Sequence, residues 1–376
     1  MFDVNKQRLI NEFLSLVQID SETKHERVIA DVLIDKFREL GVDVEEDDSQ
    51  EVTGHGAGNL ICTLPGTEAN CEPIYFTAHM DTVVPGKNIK PSIEGDYIVS
   101  DGTTILGADD KAGIAAILEA IRTIQESNLP HGDLQFIITV GEESGLVGAK
   151  ALNKDKIKAK FGYALDSNGT VGDIIVAAPS QAKLTVNIQG KTAHAGVEPE
   201  KGISAITLAA KAISNMKLGR IDDETTANIG RFAGGKQTNI VCDHVEIIAE
   251  ARSLKENKLA KQVEHMKETF ENTAKKLGGH ADVKVDIMYP QFSQQKDDQV
   301  VKVAEKAAEK LGLTSRLLTS GGGSDANIFA GAGIPTVNLA VGYEEIHTTN
   351  ERMPINELVN ITKLVTAIIV EVATDN

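Results

Sequence analysis

Two hydrophobic rhythms alternate along this chain: amphipathic helices with a period near 3.6, and short, almost unbroken apolar runs. Leu9, Ile10, Phe13, Leu14 and Val17 fall on one side of a helix predicted within residues 1–21. Val28, Ile29, Val32, Leu33 and Phe37 do the same for residues 26–40, and Gly41 stands just past the helix end, where glycine is favoured. Strands are predicted at 42–46 and 59–64, with the glycine-rich 54–58 as the turn between them. The run Ile-Tyr-Phe-Thr-Ala-His-Met-Asp-Thr-Val at 74–83 reads as a buried strand. A hairpin is predicted at 94–104, turning at Asp101-Gly102. Ile114, Ile117, Leu118, Ile121 and Ile124 then mark a helix whose N-terminus carries Asp109 and Asp110. Apolar strands at 134–140 and 161–165 follow. This alternation predicts an α/β fold with a doubly wound, mainly parallel sheet.

From about residue 182 the pattern changes to strand 184–189, helix 203–216, strands 225–232 and 241–252, helix 255–277 and strand 283–289. That β-α-β-β-α-β order predicts an inserted ferredoxin-like α+β lid domain. The α/β pattern then resumes with helix 299–311, strand 316–319, a glycine-rich loop at 320–326, strand 335–341, a loop holding His347, and a closing helix from Pro354. The predicted organisation is one domain made of residues 1–178 and 292–376, interrupted by a lid at 179–291.

Composition narrows the function. The chain has 376 residues, 38 Lys plus Arg and 55 Asp plus Glu, for a formal net charge of −17. So acidic a surface argues against nucleic-acid binding, which needs a basic face. Cys62, Cys71 and Cys242 fit no C-x-x-C pattern and read as inert thiols in a reducing compartment. The first 21 residues contain Asp, Glu and Asn and lack the apolar core of a signal peptide. The segment 358–373 is interrupted by Lys363 and Glu371 and is too polar to span a bilayer. A cytoplasmic protein without a membrane partner is expected.

The chemistry gathers at strand ends. His79 and Asp81 close the 74–83 run, and two adjacent aspartates at a helix start exceed what capping requires. Glu142 and Glu143 follow strand 134–140, Asp166 follows strand 161–165, and His347 lies in the loop after strand 335–341. In an open α/β sheet such ends meet in one crevice. Crowded carboxylates repel unless they are protonated or neutralised by cations. Two histidines with several carboxylates and no thiolate suit Zn²⁺, with Co²⁺ or Mn²⁺ as alternatives, and the donor set exceeds the needs of one ion. The remaining histidines, His25, His55, His131, His244, His265 and His280, have no ligand spacing and are read as surface residues.

The strings Ala-His-Met-Asp-Thr-Val (78–83), Gly-Ala-Asp-Asp-Lys-Ala-Gly (107–113), Gly-Glu-Glu-Ser-Gly (141–145), Leu-Asp-Ser (165–167) and His347 resemble the co-catalytic dizinc family of peptidase T, glutamate carboxypeptidase and aminoacylase. The peptidase T-like branch is the most similar, over essentially the whole length. The resemblance implies that His79, Asp109 and Asp166 bind one zinc, and that Asp109, Glu143 and His347 bind the other. It further implies that Asp81 orients His79, and that Glu142 is the general base for hydrolysis of short peptides by zinc-activated water. His194, in Gly-Lys-Thr-Ala-His-Ala-Gly (190–196), would stabilise the developing oxyanion, and Asn239 and Arg252 would bind substrate. A homodimer formed through the lid is a further implication. An aminopeptidase of the tripeptidase kind is the expectation. A carboxypeptidase or N-acyl-amino-acid amidohydrolase is the alternative within enzymes, and an idle peptide- or metal-binding relative the alternative outside them.

Overall fold

The computed structural model describes residues 3–68 and 70–374. Their contacts divide the chain into two compact units. One comprises Met1–Ala177, Ser293–Ser320 and Ser324–Asn376; the other comprises Ala178–Phe292 with Gly321–Gly323.

Among the described residues the first unit contains a nine-stranded sheet, mixed at its margins and parallel at its centre. Its central strands run in the order Leu134–Thr139, Ile74–His79, Phe161–Ser167 and Thr336–Ala340, each parallel to the next. They are buried at nearly every position because both faces are covered, which is the usual condition of parallel strands. Leu60–Leu64 and Asp43–Glu46 extend one side antiparallel. Asp173–Ala178, which pairs antiparallel to Thr336–Ala340, extends the other. Register puts Phe76 beside Phe136 and Tyr163, and their rings stack at centroid distances of 6.2 and 5.5 Å. Helices Ala108–Glu126 and Ile355–Thr374 bury Ile114, Ile117, Leu118, Ile121, Leu364, Val365 and Ile368 in the same core. Because the four central strands run the same way, His79, Thr139, Ser167 and Ala340 all stand at one edge of the sheet.

The second unit is an antiparallel sheet in the order Gly219–Asp222, Thr225–Gly234, His244–Ser253, Ser180–Gln189 and His280–Tyr289. Helices Ala205–Ser214 and Glu256–Lys276 supply Leu208, Ala209, Met266 and Phe270 to a core shared with Leu184, Val186, Ile188, Val245 and Ile247. Setting aside the short edge strand Gly219–Asp222, this is the expected β-α-β-β-α-β arrangement.

Several expectations change in detail. The first helix spans Lys6–Val17, capped by the Asn5 side chain accepting from the Arg8 amide. Residues 18–21 leave it because Ser21 lends its carbonyl to the amide of Thr82, and the predicted start at Met1 and Phe2 lies outside the described residues. The run 74–83 stays a strand only to His79, so Asp81 is not on the extended backbone that would align it with His79. The hairpin turns at Gly95, whose φ of +61° suits glycine, and not at Asp101, which accepts instead from the Thr103 amide. A short helix Ser49–Thr53 precedes the glycine-rich turn. Strands Asp173–Ala178 and Gly219–Asp222 and helix Asp325–Gly331 were not predicted. His55 and His131 are buried, not surface residues. None of the described helices is long and apolar enough to cross a membrane.

Candidate metal centre

Each donor at the sheet edge is delivered by a local feature that the sequence encodes. His79 is the last residue of its strand and only 2% exposed. Its Nδ1 lies 2.9 Å from the Asp81 main-chain oxygen and 3.5 Å from the Asp81 carboxylate. The carbonyl, not the carboxylate, therefore holds the imidazole. The fully buried Asp81 carboxylate accepts from the amides of Glu142 (2.9 Å) and Glu143 (3.3 Å) instead. It thus fixes the turn that carries both glutamates. That turn begins at Gly141, with φ +58° and a ring nitrogen of His55 only 2.5 Å from where a β-carbon would sit. His55 in turn shares a 2.9 Å hydrogen bond with the Ser144 hydroxyl.

Asp109 and Asp110 divide their labour. Both have non-helical backbone at the start of helix Ala108–Glu126. Asp110 accepts from the Gly113 amide as a cap does, and from the His79 amide, both at 3.2 Å. Asp109 turns its carboxylate toward the imidazoles. One oxygen is 3.1 Å from Nε2 of His79, and the other is 3.2 Å from Nε2 of His347. His347 also meets Oε1 of Glu143 at 2.9 Å. Asp166 stands 3.8 Å from the same His79 nitrogen and accepts from the Tyr343 hydroxyl at 3.2 Å. Its main chain is pinned on both sides by the Asn338 amide group.

Three groups of donor atoms result, in each of which all lie within 4.8 Å of one another: His79, Asp109 and Asp166; Asp109, Glu143 and His347; and His79, Glu142 and Glu143. The first two share Asp109. Electrostatics describe a cluster short of positive charge. Burial and then the neighbouring carboxylate of Asp109 push the Asp166 carboxyl well above its ordinary value. Burial, followed by Asp166, does the same to Glu142. Hydrogen bonds donated to the carboxylates of Asp109 and Glu143 raise His347 to about 10. Burial alone would deprotonate His79, but Asp109 and Asp81 override it and raise that imidazole too. Protons are thus retained where acids crowd, and a divalent cation offers the same relief without them. Imidazole and carboxylate donors without thiolate fit such an ion, Zn²⁺ first among them.

His194, Asn239 and Arg252 belong to the other unit. His194 and Asn239 are exposed neighbours, linked by a 2.9 Å main-chain bond from Ala195 to Asn239. Arg252 is already engaged. Its Nε and Nη2 donate to Glu250, and Nη1 reaches the Tyr289 hydroxyl and the Gly321 carbonyl, both at 3.3 Å. Sequence reasoning missed Asn338, Tyr343, His55 and Glu351. Asn338, as a polar residue inside an apolar strand, left the clearest signal.

Comparison with known proteins adds an independent line. Residues 75–371 match the family described as Peptidase family M20/M25/M40. A Bacillus subtilis (strain 168) protein described as uncharacterized protein YqjE is 66% identical over 98% of this chain and 100% of its own length. The crystal structure of aminopeptidase PepT from Bacillus cereus ATCC 10987 is 68% identical with a TM-score of 0.94, covering 99% of this chain and all of that one. A tripeptidase structure from Staphylococcus aureus subsp. aureus Mu50 is 53% identical with a TM-score of 0.96, covering 98% and 99%.

Proposed function

The chain belongs to peptidase family M20/M25/M40, and from that premise we propose that it is a metal-dependent aminopeptidase that removes the N-terminal residue from short peptides, tripeptides in particular. The observation carrying this reading is the pair of donor groups joined through Asp109, with Glu142 at their margin. The similar proteins described as an aminopeptidase and a tripeptidase support the choice of substrate.

In this reading His79, Asp109 and Asp166 hold one divalent ion, and Asp109, Glu143 and His347 hold a second, Zn²⁺ or in its place Co²⁺ or Mn²⁺. When bound, such ions polarise a substrate carbonyl and make water acidic. Glu142 is the general base. It takes the proton of the attacking water and returns it to the leaving amine, a role that suits a carboxyl whose proton affinity has been raised by burial. Asp81 keeps Glu142 and Glu143 in separate roles by anchoring both amides. Residues 1–178 and 292–376 form the catalytic domain and 179–291 the lid. His194 serves as oxyanion donor. Asn239 and Arg252 serve the substrate, Arg252 by exchanging its present bonds to Tyr289 and Gly321 for bonds to the peptide. The enzyme acts in the cytoplasm, as a homodimer through the lid.

A panel of tripeptides, free or blocked at either end, assayed on metal-loaded protein, tests the proposal. Cleavage that is abolished by N-acetylation and tolerant of C-terminal amidation is expected. Hydrolysis that survives N-acetylation but requires a free C-terminal carboxylate would replace it with a carboxypeptidase or acyl-amino-acid hydrolase. No hydrolysis with metal bound would leave a binding protein.

A further inference from the structure

Two of the donors, Asp109 and His347, are 238 positions apart, and something must set the distance between their loops. The buried carboxylate of Glu351, 2% exposed, does so. Its Oε2 accepts from the amides of Leu106 and Gly107, each at 2.8 Å, and its Oε1 accepts from the amide of Asp109 at 3.0 Å. These N–H groups lie in the irregular backbone that leads into helix Ala108–Glu126, non-helical at Asp109 and Asp110, so the regular helix gives them no ladder partner and the buried carboxylate satisfies them. Glu351 follows His347 by four residues in a loop closed on itself. Glu344 and Arg352 exchange main-chain bonds of 2.9 and 3.0 Å, and the Glu351 amide donates to the Thr348 carbonyl at 3.2 Å. At the tip of that loop His347 has φ +63°, an uncommon conformation for a residue with a side chain, which persists where its surroundings impose it.

We propose that Glu351 is a positioning residue of the metal centre, clamping the loop that delivers Asp109 to the loop that delivers His347. The inference rests on the metal-centre reading above. Glutamine at this position keeps the volume but has one acceptor oxygen for three amides, and turns an NH₂ group toward at least one of them. Outer groups that orient ligands typically change metal affinity by about 10–100-fold.

The test compares wild type, E351Q and E351A with E371Q as a control. Glu371 is equally buried, 3% exposed, but is paired with Lys310 of helix Gln299–Lys310 and, among the described residues, bonds none of the donor loops. Zn²⁺ and Co²⁺ affinities are measured by competition with a chromophoric chelator, the Co²⁺ absorption spectrum is recorded, and hydrogen exchange is followed at residues 106, 107 and 109. Expected are affinities about 10–100-fold weaker in E351Q, an altered Co²⁺ spectrum, and faster exchange at those three amides. E371Q should bind metal as wild type does, whatever its loss of thermal stability. If E351A does not accumulate as folded protein, E351Q carries the comparison. Metal affinity and spectrum in E351Q equal to wild type would overturn the proposal and leave Glu351 a plain anchor of the loop before the helix. A wild-type protein that binds neither ion would remove the metal-centre reading itself, a result distinct from the previous one.

Discussion

Replacing Glu142 by glutamine separates catalysis from assembly. The side chain keeps its size but can no longer accept and return a proton. A positioned general base contributes roughly 10²–10⁴-fold, so turnover should fall by that factor, about 3–5 kcal/mol of barrier at 1.36 kcal/mol per decade. Its effect on the fold should have the opposite sign. Burial opposes ionisation of Glu142, and the carboxylates of Asp166, Asp325 and Glu143 add to that opposition, so its proton affinity lies well above the ordinary 4.5. A carboxyl with a raised folded value binds more protons folded than unfolded, so it lowers stability progressively as pH rises above 4.5. Gln cannot ionise and escapes this. Metal-free E142Q should therefore melt above metal-free wild type at pH 7–8, with the difference closing toward pH 4. Calorimetry across pH, metal analysis of the loaded protein and steady-state kinetics read out the three quantities. Turnover near wild type would refute the assignment of the base. Turnover lost together with bound metal would refute the separation of Glu142 from the ligands.

Other expectations follow from separate parts of the molecule. Chelation should abolish activity and lower the melting temperature. Zn²⁺, Co²⁺ or Mn²⁺ should restore both, by about 2.7 kcal/mol at a free metal concentration 100 times the dissociation constant; full activity in chelated protein would contradict the metal requirement. Gly141→Ala should cost about 1–2 kcal/mol for the left-handed backbone alone, more for the contact with His55, and should weaken metal binding by displacing Glu143, as equilibrium dialysis would show. Glu12 tests the fold away from the site. Burial raises its proton affinity, but Lys36 at 2.7 Å and Arg122 at 2.6 Å outweigh this and hold it below 4.5. Its contribution is therefore present above pH 4.5 and lost as pH falls through the lowered value. Glu12→Gln should lower the urea midpoint at pH 7 by about 1.5–3 kcal/mol equivalent and by much less near pH 3.

The fold class was legible because strands and helices here obey separate periods. The apolar runs at 74–79 and 134–139 are too uniform for an exposed element and too short for a helix. Asp173–Ala178 escaped because it is short and only one residue separates it from the long strand Ser180–Gln189, so the two merge into one apolar stretch. The candidate donors could be picked out because parallel strands point their ends one way, so residues far apart in sequence needed only a shared position relative to their strands. What escaped was everything dependent on main-chain geometry. That the Asp81 carbonyl faces His79 while its carboxylate serves Glu142 and Glu143 follows from a strand ending at His79, four residues early. No spacing rule anticipates it. Glu351 escaped likewise, since its partners are amides, which carry no side-chain signature.

The place where the chain leaves the mixed sheet and the place where it returns are adjacent. The amide of Gln294 bonds the carbonyl of Val176 at 2.7 Å, so more than a hundred intervening residues begin and end at one seam. A host opened at such a seam keeps its own hydrogen bonding whatever the length of the excursion, because the excursion imposes no net displacement on it. Recombination could therefore exchange the guest for another with closely spaced termini while the host stays intact, letting the two evolve at different speeds.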